Sequence, residues 1–221
     1  MLKTVEINPP QPALLSVIWL HGLGADGYDF ATSEFLQKIS YNLQVRMVFP
    51  HAPIRAVTCA GGAKLRAWFD LDRFEAQVKE DSVGINESVN LINQLIDKEY
   101  SLGFSSNQLI LAGFSQGGAI ALAAGLGCSQ ALGGILSLSS WLPLSDSFSK
   151  WRKEANQETP VVFYHGTNDE VVPFSWAKNS VAYLEKFAYQ VKLRAYPMRH
   201  SVCEQEFIDL EGFFKTLIAS A

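Results

Sequence analysis

The sequence predicts an α/β fold, with a mostly parallel central sheet and helices on both faces. Three observations carry this. Short apolar runs that read as strands alternate with helical stretches along the whole 221 residues. No charged residue occurs between Asn107 and Asp146, which is how central parallel strands read when both faces are covered. The run Leu109-Ile110-Leu111-Ala112-Gly113-Phe114-Ser115-Gln116-Gly117-Gly118 reads as a buried strand, a tight glycine turn and a helix start.

The elements follow in order. Residues 14–20 form the first strand, bounded upstream by Pro9, Pro10 and Pro12, and run into His21-Gly22-Leu23-Gly24-Ala25-Asp26-Gly27. Residues 29–39 are expected to be helical, and residues 45–49 form a strand ended by Pro50. Residues 52–65, with Pro53, Gly61 and Gly62, read as an irregular loop that leads into Arg66-Ala67-Trp68-Phe69-Asp70-Leu71. Loops of that length are often binding loops or lids. Ile85, Val89, Ile92 and Ile96 recur at helical spacing, so a helix is expected from Asp81 to about Tyr100. After the glycine turn, residues 119–126 form a helix of small residues. Residues 134–139, 161–165 and 191–196 are further strands, and residues 150–159 are a polar, exposed connection. Residues 174–187 form a helix, and a last helix carries Phe207, Leu210, Phe214 and Leu217 on one face. No linker, repeat or low-complexity tract interrupts the pattern, so residues 1–221 are expected to be one domain.

Composition excludes several classes. Hydrophobic residues are 48% and charged residues 18% of the chain, the balance of a globular protein with a large core. A net charge of −4 offers no basic footprint for nucleic acid and no polybasic membrane signal. Cys59, Cys128 and Cys203 lack framework spacing and fit free thiols in a reducing compartment. The first residues lack the apolar core of a signal peptide, so the cytoplasm is expected. The uncharged 107–145 stretch is long enough to cross a membrane, but its glycines, serines and Gln116 break it into strand, turn, helix and strand, and no stable membrane insertion is expected. No Cys/His cluster has metal-ligand spacing, so neither a metal nor a cofactor is expected.

The chemistry concentrates at Gly113-Phe114-Ser115-Gln116-Gly117. A serine in this pattern sits on a sharp strand-to-helix turn with its hydroxyl pushed clear of the backbone, and small residues two positions away let the turn close. The N-terminal end of the next helix faces the same spot. Gly22-Leu23-Gly24-Ala25-Asp26-Gly27 matches a dinucleotide-binding pattern, but the second strand ends Val48-Phe49-Pro50-His51, without the acid that would hold a ribose. Its other reading is an oxyanion loop, with backbone N–H groups from Leu23 and Gln116 as the two donors.

A serine hydroxyl needs a base. In this arrangement the acid and then the histidine follow the serine along the chain. His165 and His200 follow Ser115, while His21 and His51 precede it. His165 closes a strand and reads as structural, whereas His200 lies in a loop after the last strand, so His200 is the candidate base. Asp169, in the turn after the 161–165 strand, is the candidate acid, with Glu170 its near rival.

Gly-Phe-Ser-Gln-Gly-Gly, Leu-His-Gly-Leu-Gly-Ala-Asp-Gly, Arg-Ala-Trp-Phe-Asp, Trp-Leu-Pro, His-Gly-x-x-Asp-x-Val-Val-Pro and His-Ser-Val-Cys together resemble the small carboxylesterase and acyl-protein thioesterase family of α/β-hydrolases, in order and over nearly the whole chain. The resemblance implies an α/β-hydrolase fold and a cytosolic serine hydrolase of carboxylic esters and thioesters. It implies a triad of Ser115, Asp169 and His200 and an oxyanion hole at Leu23 and Gln116. It implies a cap-like loop at about residues 53–74, and substrates that include S-acylated proteins or lysophospholipids. Relatives often pair as homodimers. Leu65, Trp68, Leu71, Trp141 and Val171 are the apolar candidates to receive an acyl group. A binding protein on a hydrolase scaffold is the non-catalytic alternative. The chain departs from the family at Arg199, where glycine usually precedes the histidine.

Overall fold

The computed structural model describes residues 1–72 and 80–220. Among these, strands β1 (Thr4–Ile7), β2 (Leu15–Leu20), β3 (Val45–Pro50), β6 (Leu109–Phe114), β7 (Gly134–Leu138), β8 (Val161–Gly166) and β9 (Val191–Tyr196) make one sheet in the order β1-β3-β2-β6-β7-β8-β9. All its neighbours are parallel except β1 and β3. A short antiparallel hairpin, β4 (Ile54–Val57) and β5 (Ala63–Arg66), stands apart from it.

The period of two along each strand divides the core between the sheet's faces. From β2, Ile18 and Leu20 face one side and Val17 and Trp19 the other; from β6, Leu109 and Leu111 oppose Ile110 and Ala112. The first side is covered by α3 (Ser82–Ser101), α4 (Gln116–Leu126), α5 (Phe148–Trp151) and α6 (Phe174–Glu185). The second is covered by α1 (Tyr28–Ala31), α2 (Glu34–Leu43) and α7 (Glu204–Ser220). Helix α4 is buried at every position, which accounts for its lack of charge. Phe207, Leu210 and Phe214 of α7 are buried on the second side and Leu217 packs against them.

Four expectations change. Strand β1 is absent from the sequence pattern; it pairs antiparallel with β3 from Thr4 opposite Pro50 to Ile7 opposite Met47. The helix expected over 29–39 is two helices. Thr32 ends the first, and the Ser33 hydroxyl caps the second by accepting the Leu36 N–H, so that helix runs on to Leu43. The loop expected over 52–65 contains the β4–β5 hairpin, turned by Gly61 and Gly62 at positive φ. In the polar 150–159 connection, Asn156 is fully buried, its amide accepting from Leu132 N–H and donating to the Cys128 and Gln130 carbonyls. Of the cap-like loop at about 53–74, residues 73 and 74 lie outside the described residues. Among the described residues no helix is long and apolar enough to cross a membrane.

Candidate active site

Parallel strands deliver their carboxyl ends to one edge of a sheet, where open α/β sheets form ligand crevices. At this edge lie the Gly22–Leu23 turn after β2, Ser115 after β6, Ser140–Trp141 after β7, Asp169 after β8 and His200 after β9.

Ser115 joins β6 to α4 with φ 53° and ψ −122°, a conformation that costs an L-residue about 1–3 kcal/mol and persists only where its surroundings enforce it. Its N–H donates to the Leu138 carbonyl at 2.8 Å, and its own carbonyl accepts the Ser140 hydroxyl at 2.6 Å. The flanking glycines are required for room: a Cβ on Gly113 would meet the Gly117 carbonyl at 2.4 Å, and one on Gly117 would meet the Leu20 carbonyl oxygen at 2.4 Å.

Asp169 is buried in the turn after β8. Its Oδ1 accepts the Val171 and Val172 N–H groups, both at 2.9 Å, and its Oδ2 accepts His200 Nδ1 at 2.7 Å. His165 Nε2 donates to the Val172 carbonyl at 2.8 Å and lies 3.4 Å from Asp169 Oδ2, so this histidine braces the acid turn. Burial would push the Asp169 carboxyl up, but the hydrogen bonds from His165, His200 and the Val172 amide together hold it well below the usual carboxylate range. Glu170, the rival acid, is exposed.

The His200 ring packs on Phe114, the neighbour of Ser115, with centroids 4.8 Å apart. With Nδ1–H donated to a carboxylate, the lone pair of the neutral ring sits on Nε2. Arg199 is exposed and does not adopt positive φ, so this position needs no glycine. Among the described residues, no protein acceptor takes the N–H of Leu23 or of Gln116, while the neighbouring Gly24 N–H bonds the Arg66 carbonyl at 2.9 Å.

The apolar candidates divide. Leu65 is half-buried, Leu71 and Trp141 are nearly buried, and Val171 is 38% exposed. Trp141 packs edge-on against Phe69 and Trp176, and its indole N–H bonds Glu80 at 3.0 Å. Trp68 does not present a surface: it is fully enclosed and its indole N–H is taken by the His21 carbonyl, so it stands behind the wall and supports it.

Three side chains have site roles that the sequence does not single out: Ser140, Glu80 and the amide of Gln116, a residue the sequence marks only through its backbone N–H. Gln116 alone carries a sequence signal, as a large polar residue in an otherwise apolar, uncharged stretch.

The sheet, the strand–serine–helix elbow and the acid and histidine delivered after β8 and β9 define an α/β-hydrolase. The sequence pattern of the phospholipase/carboxylesterase family matches residues 3–218. An acyl-protein thioesterase 1 of Gibberella zeae is 37% identical over 209 residues, covering 90% of this chain and 89% of that protein. The carboxylesterase SOBER1 of Arabidopsis thaliana is 32% identical over 202 residues, and its crystal structure superposes with a TM-score of 0.85 over 92% of this chain and 99% of that one. Acyl-protein thioesterase 2 of Zea mays, 21% identical, shares the fold with a TM-score of 0.86 over 99% of this chain and 100% of that one. The chain belongs to the phospholipase/carboxylesterase family and is a hydrolase of carboxylic ester or thioester bonds.

Proposed function

We propose that Ser115 is the nucleophile of this hydrolase, His200 its general base and acid, and Asp169 the group that orients His200, with the Leu23 and Gln116 N–H groups as the oxyanion hole. The observation that carries this reading is the 2.7 Å bond between His200 Nδ1 and Asp169, because it leaves Nε2 as the basic nitrogen. Ser115 Oγ attacks the acyl carbon as His200 Nε2 takes its proton. The tetrahedral oxyanion accepts from the two N–H groups, at the positive end of α4. Collapse breaks the bond to the leaving group, which departs as alcohol or thiol with the proton from His200. The same ring then takes a proton from water as its oxygen bonds the acyl carbon; the acyl–Oγ bond breaks, the carboxylic acid leaves, and His200 gives the proton back to Ser115 Oγ.

Leu65, Leu71, Trp141 and Val171 suit an acyl chain. An S-acylated protein is the substrate favoured by the name of the Gibberella zeae relative, an acyl-protein thioesterase. The three free cysteines favour a reducing cytoplasm. Homodimer pairing is read by sedimentation of the purified chain. The direct test is a series of p-nitrophenyl esters from acetyl to palmitoyl beside matching thioesters. kcat/KM is expected to rise by up to about fourfold per methylene until the slot is full. Ser115→Ala is expected to abolish turnover of both series; retained turnover overturns the reading.

A further inference from the structure

The Leu23 and Gln116 N–H groups come from different loops, yet a hole for one oxygen needs both held to within about 0.5 Å. We propose that the side chains of His21, Trp68 and Gln116 are positioning residues for that hole, joined in a hydrogen-bond circuit that locks the Gly22–Leu23 peptide to the Ser115–Gln116 elbow. This rests on the oxyanion assignment made above.

The circuit begins at Gln116. Its Oε1 accepts the Trp68 N–H at 2.8 Å and its Nε2 donates to the Phe69 carbonyl at 2.9 Å, a two-point grip on a segment 47 and 48 residues away in the chain. The Trp68 indole N–H donates to the His21 carbonyl at 2.8 Å, and the Ser88 hydroxyl donates to the Trp68 carbonyl. His21 Nε2 accepts the Ala52 N–H at 3.0 Å, so the ring proton is on Nδ1, which donates to the Gly22 carbonyl at 2.7 Å. That carbonyl and the Leu23 N–H belong to one planar trans peptide, so fixing the direction of the C=O fixes the opposite direction of the N–H.

All three side chains are enclosed: His21 is 1% exposed and Trp68 and Gln116 are 0%. Burial holds the His21 ring down to about 4, so the neutral tautomer persists at neutral pH. The two loops also touch directly, since the first turn of α4 rides on the Leu20 and His21 carbonyls at Gly117. That contact sets their separation; the circuit sets the orientation of the peptide plane.

The test uses Trp68→Phe, which keeps the ring and removes the indole N–H, and Gln116→Met, which removes both amide bonds at similar volume. The probe is an alkyl trifluoromethyl ketone, whose adduct with a serine places an oxyanion in the hole. Each variant is expected to lower kcat by about 10- to 100-fold with KM within about twofold, and to weaken the ketone by the same factor as kcat/KM. A purely structural role lowers the melting temperature without this parallel loss. Ketone affinity unchanged in the folded variants, or kcat lost without loss of ketone affinity, overturns the proposal; if Trp68→Phe does not fold, Gln116→Met decides. Ser115→Ala separates the two claims: if it leaves ketone binding intact, the nucleophile assignment fails, whereas if it abolishes binding while the other variants change nothing, the circuit alone fails.

Discussion

Ser115 occupies backbone that glycine adopts freely and alanine does not. Activity and stability therefore oppose each other at this residue. Ser115→Gly and Ser115→Ala both lack the hydroxyl, but only alanine keeps the strained Cβ. Denaturant unfolding is expected to find Ser115→Gly more stable than Ser115→Ala by about 1 kcal/mol or more, with both inactive. Equal stabilities, or alanine the more stable, contradict the strain. Asp169 shows the complementary case, a buried carboxylate kept ionised by two histidines and two backbone amides.

At the scale of elements, the elbow works because β6 and α4 meet in a space only glycines permit. Gly117→Ala forces a methyl group onto the backbone carbonyls of Leu20 and His21, neither of which can step aside. It is expected to destabilise the protein by more than about 3 kcal/mol, read from the urea midpoint, and a loss below 1 kcal/mol contradicts the packing described. The central strands were legible in the sequence because burial on both faces leaves continuous apolar runs. Strand β1 was not, because Thr4–Ile7 is half-buried at every position and pairs at an edge with a strand over forty residues away. The break between α1 and α2 rests on a single serine cap, and the β4–β5 hairpin is largely exposed, so neither leaves a strong apolar period. The same limit applies at the site. The order of serine, aspartate and histidine is written along the chain, and Asp169 and His200 meet. The grip of Gln116 on Trp68 and Phe69 joins distant residues through hydrogen bonds, which carry no local pattern.

Over the whole molecule, two buried titratable groups give stability an opposed pH dependence. Burial raises Glu206, whose Oε2 accepts the Cys203 N–H at 3.4 Å, from 4.5 to about 8, with nearby Asp209 adding to the shift. The folded state keeps a proton that the unfolded chain has lost, so this contribution is full below 4.5 and is lost as pH rises through about 8. His21 behaves oppositely: lowered from 6.5 to about 4, it stabilises fully above 6.5 and its contribution is lost as pH falls towards 4. The two oppose each other between 4.5 and 6.5, and that of Glu206 alone runs from 6.5 to about 8. Glu206→Gln is therefore expected to gain on the native protein as pH rises over that window, by on the order of 1 kcal/mol per pH unit in denaturant unfolding. A pH-independent difference between the two contradicts the buried, protonated carboxyl.

Every step of the proposed reaction requires Ser115 to carry the acyl group, and a fluorophosphonate reports on that serine directly. Mass spectrometry of the digested protein after labelling is expected to find one adduct, on the peptide containing Ser115. The adduct should be absent in Ser115→Ala and form at least about a thousandfold more slowly in His200→Ala. An adduct on another residue, or labelling that survives Ser115→Ala, contradicts it.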